Sequence, residues 1–372
     1  MNEMFTGRQA TLWFILYLIG NGFLLLPSVL AATAKQDVWL SVLLAIGFQM
    51  ALVPMYIAIS KQMQGKSMAV HLQTLFGRRV GGLAAIAFVL LVPYLNLVIT
   101  LRHLDDFIQT TMMPETPSEA IYAFMFVAVY YAIRSGAAVI GRSVEILFFV
   151  IPLLYALVTF ALVSKLDYNN LLPMLEYGWK PVIRGSFPIF AFPFMETVLF
   201  LFLKNRMKNP DLWKRSVVWS ILISGAMYLI MFVNTTAVLG QEAMSNLTYA
   251  SYFVVRTISI ADFIERFEIA VTIFWYISIF YRLVLLMYIT VHVTADVVRL
   301  QNPSALLVPL MVIALVMARS IWPDTSFLFE MFRIWPYYAA CYGIAFPLLL
   351  WLMGCFKSRV NRQSASVQAS SD

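Results

Sequence analysis

The chain has 372 residues, of which 61% are hydrophobic and only 12% are charged. This excludes an ordinary soluble protein, because a water-soluble core needs far less apolar surface, and it favours lipid as the solvent. The net charge of +7 could suggest nucleic-acid binding, but the basic residues lie in short loops and form no patch.

Ten apolar runs approach the length of about 20 residues that a helix needs to cross the hydrocarbon of a bilayer. They lie at about 11–33, 38–60, 80–101, 119–133, 141–164, 184–204, 216–239, 267–295, 303–320 and 334–356. The polar tail at 358–372 has no apolar periodicity and is predicted to be disordered. We therefore expect an all-α integral membrane protein with one membrane domain over residues 1–357 and ten transmembrane helices.

The positions of lysine and arginine predict the orientation of these spans. When the N-terminus is placed in the cytoplasm, most of the 26 basic residues fall in segments on the inner side. Several carboxylates, among them Asp105, Asp106 and Glu265, fall on the outer side. Ten spans with both chain ends in the cytoplasm are consistent with this pattern, and so is a cytoplasmic tail.

Ten spans divide into two groups of five, at about 8–165 and 182–357. An odd number of spans in each group inverts the second group relative to the first. Many secondary transporters use this plan, and their binding sites lie where the first helix of each repeat is interrupted. Here span 1 contains Gly20-Asn21-Gly22 followed by Pro27, and span 6 contains Pro188 and Pro193 around Phe190 and Phe192.

The paired interruptions have a physical reading. Glycines weaken a helix and each proline removes a backbone donor. In hydrocarbon, freed backbone groups persist only where protein, water or a ligand satisfies them. One interruption would favour an ordinary kink, but two at matching positions favour a binding site with discontinuous helices 1 and 6. Half-helices restarting near Phe23 and Phe194 would then aim positive dipole ends at a ligand carboxylate.

Three charged residues lie within predicted spans, and each should face protein or water because lipid penalises a bare charge. Glu145 lies near the inner interface and favours a local structural pair. Glu196 lies in the first turn after Pro193, where it could cap the helix or tether a hinge. Alternatively, Glu196 could accept a ligand amine or act as a protonatable gate.

Arg282 lies near the middle of span 8, and its fork of donors suits a carboxylate. It could pair with Glu196 or Glu145, meet an anionic group of a ligand, or fill the place of a sodium ion in ion-coupled transporters. Asn96 of span 3 could make an interhelical hydrogen bond or line the cavity.

The sequence offers no catalytic constellation. The three histidines, His71, His103 and His292, lack the spacing of metal ligands, and the chain has neither a Walker loop nor a Gly-x-Ser-x-Gly motif. We therefore expect no enzyme, no cofactor and no metal site.

Four stretches of the chain are distinctive: the segments 192–196 (FPFME), 262–268 (DFIERFE), 322–324 (WPD) and 169–173 (NNLLP). Together they resemble one known family, the B subunits of the nutrient germinant receptors of spore-forming bacteria. The resemblance covers nearly the whole chain. The family is part of the amino acid/polyamine/organocation transporter superfamily, so the resemblance also implies the LeuT-like version of the inverted-repeat fold.

The resemblance implies a subunit that binds a small nutrient germinant, such as an amino acid, in the spore inner membrane. It also implies two partners, a receptor A subunit and a C-subunit lipoprotein. The family's pocket lies among helices 1, 3, 6, 8 and 10, which includes Asn96, Pro193 and Arg282 by position. Relatives commonly carry glycine at Phe194 and small neutral residues at Arg282. These departures indicate a different germinant, or an arginine that itself occupies the cavity.

The candidate ligand-binding residues are therefore those of the two interruptions and the polar residues near them: Gly20, Asn21, Gly22, Asn96, Phe190, Phe192, Pro193, Glu196 and Arg282. The main alternative function is a proton-coupled amino acid or amine permease that uses Glu196 as its titrating carboxylate. A further alternative is a structural subunit with a vestigial pocket.

Overall fold

The computed structural model describes residues 4–20, 22–258, 268–323 and 327–369, and those residues are all-helical apart from turns and one isolated backbone bridge. The α-helices of the first half are α1 (Gly7–Ile19), α2 (Gly22–Ala34), α3 (Val38–Gln62), α4 (Met68–Phe76), α5 (Arg78–Val89), α6 (Leu95–Thr111), α7 (Ser118–Ser135), α8 (Ala137–Leu147) and α9 (Val150–Leu162). Those of the second half are α10 (Trp179–Ala191), α11 (Trp213–Asn246), α12 (Ala250–Arg256), α13 (Glu268–Val298), α14 (Leu307–Ser320), α15 (Phe327–Ala340) and α16 (Phe346–Ala369).

Shorter helical segments link several of these helices. The 3₁₀ helices are Lys35–Asp37, Val163–Lys165, Tyr168–Leu171, Phe194–Arg206, Pro210–Leu212 and Pro303–Leu306. Single π-helical turns, Leu90–Tyr94 and Cys341–Ala345, join α5 to α6 and α15 to α16. Such turns are frequent near functional sites in membrane and soluble helices alike.

Eight helical stretches among the described residues are long and apolar enough to cross a membrane. They are Gly22–Gln62, Arg78–Thr111, Ala137–Lys165, Trp179–Arg206, Pro210–Asn246, Val271–Val298, Pro303–Ser320 and Glu330–Arg359. The chain is therefore a multi-pass, all-helical membrane protein. The predicted total of ten spans stays a prediction, because α1 and α7 fall outside this set.

The first helix begins at a defined cap. The Thr6 hydroxyl accepts from the Gln9 backbone N–H at 3.2 Å, and the Gln9 side chain accepts from the Thr6 N–H at 2.9 Å. This reciprocal pair satisfies two backbone donors that no helical carbonyl can reach. Phe5 also exchanges backbone hydrogen bonds with Arg206 and Lys208, so the start of α1 is joined to the end of the Phe194–Arg206 helix.

The interior helices cluster around α1, α10 and α13. Helix α1 lies against α8, α11 and α13, while α10 lies against α2, α3 and α15. The side chains of α1 and of the Phe194–Arg206 helix are almost all buried, whereas α9 and α14 expose apolar side chains such as Phe160 and Val312. The molecule therefore has a buried inner set of interrupted helices and an outer set that presents apolar faces to lipid.

The predicted prolines behave differently from one another. Pro27 lies inside α2 and Pro188 inside α10, so neither interrupts its helix. Helix α1 ends at Ile19 and α2 begins at Gly22, with Asn21 outside the described residues, and α10 ends at Ala191, directly before Phe192-Pro193. The last helix extends through Ala369, beyond the predicted end of the tenth span, and the predicted domain bounds and tail disorder stay predictions.

Candidate functional site

The second interruption is a two-residue break between a regular helix and a tighter one. Helix α10 ends at Ala191, Phe192 is extended (φ −142°, ψ 109°), and the Phe192–Pro193 peptide bond is cis. The 3₁₀ helix then starts at Phe194 and carries Glu196 in its first turn. No side chain caps the start of this helix. The hydrogen-bond partners of the Glu196 carboxylate lie instead on α1 and α13.

Glu196 and Arg282 form a buried ion pair. The Arg282 Nη2 lies 2.8 Å from Glu196 Oε2 and donates to Oε1 at 3.0 Å, and both side chains are 0% exposed. The Tyr17 hydroxyl donates to Glu196 Oε2 at 2.6 Å. Both carboxylate oxygens thus have partners, as a charge removed from water requires.

The remaining donors of Arg282 also find acceptors. Its Nε donates to Thr100 Oγ1 at 3.1 Å, its Nη1 to the Tyr17 carbonyl at 3.4 Å, and its Nη2 to Asn96 Oδ1 at 3.5 Å. The Asn96 amide donates in turn to the Val92 carbonyl at 3.0 Å, beside the π-helical turn. Arg282 therefore links α1, α6 and the Phe194–Arg206 helix through a single guanidinium.

Two aromatic rings enclose the guanidinium. The Arg282 Cζ lies 4.6 Å from the centroid of the Tyr17 ring and 5.0 Å from that of Phe192. Both distances allow a favourable cation–π interaction, which is stronger away from water. In this conformation the arginine occupies the centre of the site, between the two chain interruptions.

The predicted glycines allow close approach at the first interruption. A Cβ on Gly20 would lie 3.1 Å from the Ser278 carbonyl oxygen and 3.3 Å from the Arg282 Cβ. A Cβ on Gly22 would lie 2.6 Å from the Tyr228 hydroxyl oxygen, which donates to the Leu18 carbonyl at 2.9 Å. The missing side chains let α1 and α2 approach α13 and α11 directly.

The other predicted residues have separate places. Asn21 lies outside the described residues. Phe190 is buried, packs against Phe48 and lines a cavity to which neither Glu196 nor Arg282 contributes. The structure thus brings five of the predicted residues together: Gly20, Asn96, Phe192, Glu196 and Arg282. Pro193 lies beside this group at the helix break, and Gly22 and Phe190 lie at the edge of the group.

Glu145 behaves as the local structural pair that the sequence favours. Its Oε2 accepts from the Gln9 amide at 3.1 Å, and its Oε1 lies 3.9 Å from the Arg8 Nε. A Cβ on Gly141 would lie 2.7 Å from the Gln9 side chain, so this small residue admits the contact. Glu145 therefore contributes to the start of α1 and lies apart from the central pair.

Sequence reasoning missed three residues of the site. Tyr17 supplies a hydroxyl, a carbonyl and a ring, Thr100 accepts from Arg282, and Tyr228 anchors the Leu18 carbonyl. Tyr17 comes three positions before Gly20 and Thr100 four positions after Asn96. This helical spacing was the available signal, because residues three or four apart share a face.

One of the quoted motifs, at 322–324, lies at one end of α6. The Trp322 indole donates to Asp106 Oδ2 at 3.1 Å, and the Arg102 Nε lies 3.1 Å from Asp106 Oδ1. The Tyr122 hydroxyl donates to Asp105 Oδ2 at 2.9 Å. Residues 262–267 of the other motif and Asp324 lie outside the described residues. These contacts hold α6 and α7 to the turn after α14, which is a structural role.

Comparisons with known proteins agree with this picture. The family model Spore_permease, described as "Spore germination protein", matches residues 5–326. Spore germination protein KB of Bacillus subtilis (strain 168) is 25% identical over 367 residues, 97% of each chain. Spore germination protein XB of Bacillus anthracis is 24% identical over 303 residues, which cover 80% of this chain and 83% of the relative.

A solved structure shares the fold. The crystal structure of MhsT in complex with L-phenylalanine superimposes with a TM-score of 0.67 at 14% sequence identity, covering 94% of this chain and 89% of that one. At this identity the likeness establishes a shared, LeuT-like fold.

Proposed function

The chain belongs to the spore germination protein family of germinant receptor B subunits, and from that premise we propose that it is a nutrient-sensing receptor subunit. It binds a small germinant, an amino acid or a similar molecule, at the helix 1 and helix 6 interruptions and thereby triggers germination. The observation that carries the proposal is the buried Glu196–Arg282 pair, which lies between the two interruptions.

The proposal includes the finer architecture. The chain forms a single membrane domain of ten spans, with repeats at about 8–165 and 182–357 related by inversion and a cytoplasmic tail at 358–372. Both ends lie in the cytoplasm, and the membrane is the spore inner membrane. Two features support this. The first half opens with the separate helices α1 and α2, and the second with α10 and the Phe194–Arg206 helix. Phe5 also pairs with Met207, where the predicted inner ends of spans 1 and 6 would meet.

The ion pair suggests how a ligand acts. An amino acid carries a carboxylate and an ammonium group, which complement Arg282 and Glu196 respectively. On binding, it replaces one internal ion pair by two contacts to the ligand, so Glu196 and Arg282 separate. Because Arg282 also holds Thr100 and the Tyr17 carbonyl, this separation loosens α6 from α1. The ligand shifts the conformation only because it binds the state in which Glu196 and Arg282 are separated more tightly than the state in which they are paired.

The conformational change reaches the receptor through partner subunits. We expect these to be the A subunit and the C-subunit lipoprotein that the family resemblance implies. The chain contributes the ligand site, and the partners respond to the altered packing of its helices.

The test replaces both charges together. Glu196→Gln with Arg282→Gln removes the pair without leaving one charge bare in lipid, which would destabilise the protein. Spores carrying this double variant are tested across a panel of amino acids, with receptor abundance measured by immunoblot. We expect loss of the response to the cognate amino acid at normal abundance. The matched control is Glu145→Gln with Arg8→Gln, which removes a half-exposed pair and should leave germination unchanged.

If the double variant responds with unchanged preference and sensitivity, the pair does not contact the germinant.

The transporter fold also supports a second candidate function, a proton-coupled amino acid or amine permease. Counterflow of labelled amino acids into liposomes that contain only this chain separates the two. Saturable uptake that requires Glu196 favours the permease, and its absence together with measurable binding favours the sensor.

A further inference from the structure

A large cavity lies apart from the central ion pair. It has a volume of about 740 Å³ and is bounded by α2, α10, α15 and the π-helical turn that follows α15, with Met195 of the Phe194–Arg206 helix and Ser245 of α11 completing its lining. A cavity of this size holds a small organic molecule. It opens at the end of the bundle that the distribution of basic residues predicts to face outward.

Two arginines line this cavity without a partner. Arg184 projects from α10 and Arg333 from α15, and both are exposed. Neither makes an ion pair or a hydrogen bond with any residue that the structure describes. No carboxylate is among the described residues of the lining. Two uncompensated positive charges therefore share one partly desolvated space, where a bound anion is favourable.

Apart from the exposed Tyr337 hydroxyl, the rest of the lining is apolar or already hydrogen-bonded. Phe187, Phe190 and Phe332 supply aromatic surface. The Thr33 hydroxyl donates to the Val29 carbonyl at 3.2 Å, and the Ser245 hydroxyl to the Glu242 carbonyl at 2.9 Å. The two guanidinium groups are thus the main polar groups left to orient a ligand, and the walls suit an apolar body.

An aromatic layer separates this cavity from the centre. The Phe192 ring lies over Arg282 and makes edge contacts with Phe332 and Trp335, with centroid distances of 6.2 and 6.3 Å. Phe332 also lines the cavity. An occupant of the cavity therefore contacts Phe332 and Met195, whereas neither Glu196 nor Arg282 is among the described lining residues.

We infer that this cavity is a second binding site, for a small organic anion that carries an apolar or aromatic body. Arg184 and Arg333 hold the anionic group, and the phenylalanines hold the body. The anionic group is a carboxylate of a free molecule or the phosphate of a lipid headgroup. The site is independent of germinant binding at the ion pair.

The experiment measures binding of 3-phenylpropionate to the purified full chain in nanodiscs of phosphatidylcholine. Phenethylamine has a similar ring and chain with the opposite charge and serves as the comparison probe. We expect saturable binding of the carboxylate only. Arg184→Gln or Arg333→Gln should weaken it about tenfold, or about 1.4 kcal/mol. Arg79→Gln removes an exposed arginine far from the cavity and should have no effect.

The lipid arm repeats the titration with phosphatidylglycerol added to the nanodiscs. Weaker binding of 3-phenylpropionate, seen equally in the Arg79→Gln control, assigns the site to the lipid phosphate. Unchanged binding assigns it to a free carboxylate, and both outcomes support the anion site. Equal binding of phenethylamine, or unchanged binding in both arginine variants, overturns it. Binding that survives in those variants but disappears in Glu196→Gln with Arg282→Gln places the probe at the centre and also overturns the inference.

Discussion

The buried ion pair makes a quantitative prediction about stability. Glu196→Gln leaves the Arg282 charge fully buried between the Tyr17 and Phe192 rings, with only neutral acceptors nearby. Removing one partner of a buried pair costs about 3–5 kcal/mol, because the desolvated charge stays uncompensated. The Tyr17 hydroxyl keeps an acceptor in the glutamine oxygen, so the loss comes mainly from the charge.

The chain supplies its own control. Glu145→Gln makes the same chemical change in a pair with Arg8, whose side chains are 32% and 71% exposed and whose closest charged atoms lie 3.9 Å apart. Pairs of this kind contribute at most about 1 kcal/mol. The two single variants therefore isolate the effect of burial on one substitution.

The assay is chemical unfolding of the purified chain in detergent micelles, which gives the free energy of unfolding of each variant. Adding Arg282→Gln to Glu196→Gln should recover about 1–3 kcal/mol, since contacting residues couple by up to about 3 kcal/mol. If Glu196→Gln costs no more than Glu145→Gln, the carboxylate and the arginine do not form a stable pair, and the closed site described above is wrong.

Three further predictions use other contacts. Gly22→Ala should destabilise the protein by about 1–3 kcal/mol, because the added methyl would lie 2.6 Å from the Tyr228 hydroxyl. The control is Gly47→Ala, whose methyl would have no neighbour within 4 Å and which should be neutral or slightly stabilising in the same unfolding assay. Tyr17→Phe should cost about 1.5–3 kcal/mol, since the buried carboxylate loses one charge-assisted hydrogen bond; a loss indistinguishable from that of the exposed Tyr131→Phe would contradict this. Burial lowers the pKa of His71 from its usual value of 6.5, so the folded state disfavours its protonation and stability should fall as the pH drops below about 6.5; His71→Gln should reduce that dependence, and an identical pH profile would refute the assignment.

Prediction from sequence is most specific where the lipid environment imposes a local requirement. A charge or a weakened helix in hydrocarbon needs a partner, so Glu196, Arg282 and the stretches around Gly20 and Pro193 could be singled out without knowing their neighbours. The same reasoning was too broad for Pro27 and Pro188, which remain inside helices. A proline marks a weakened backbone, but packing decides whether the helix actually ends there.

By itself the sequence determined the solvent, the helical class, the family and the short list of unusual residues, because these follow from composition, local backbone chemistry and motif. Only the tertiary structure decided between the partners that the sequence left open for Glu196 and Arg282. Glu196 and Arg282 are 86 residues apart, and Tyr17 is 179 residues from Glu196. Such partners meet through the packing of whole helices, which no local spacing encodes. For that reason the structure could place Arg282 between two aromatic rings, pair it with Glu196 and separate both from the cavity of Arg184 and Arg333.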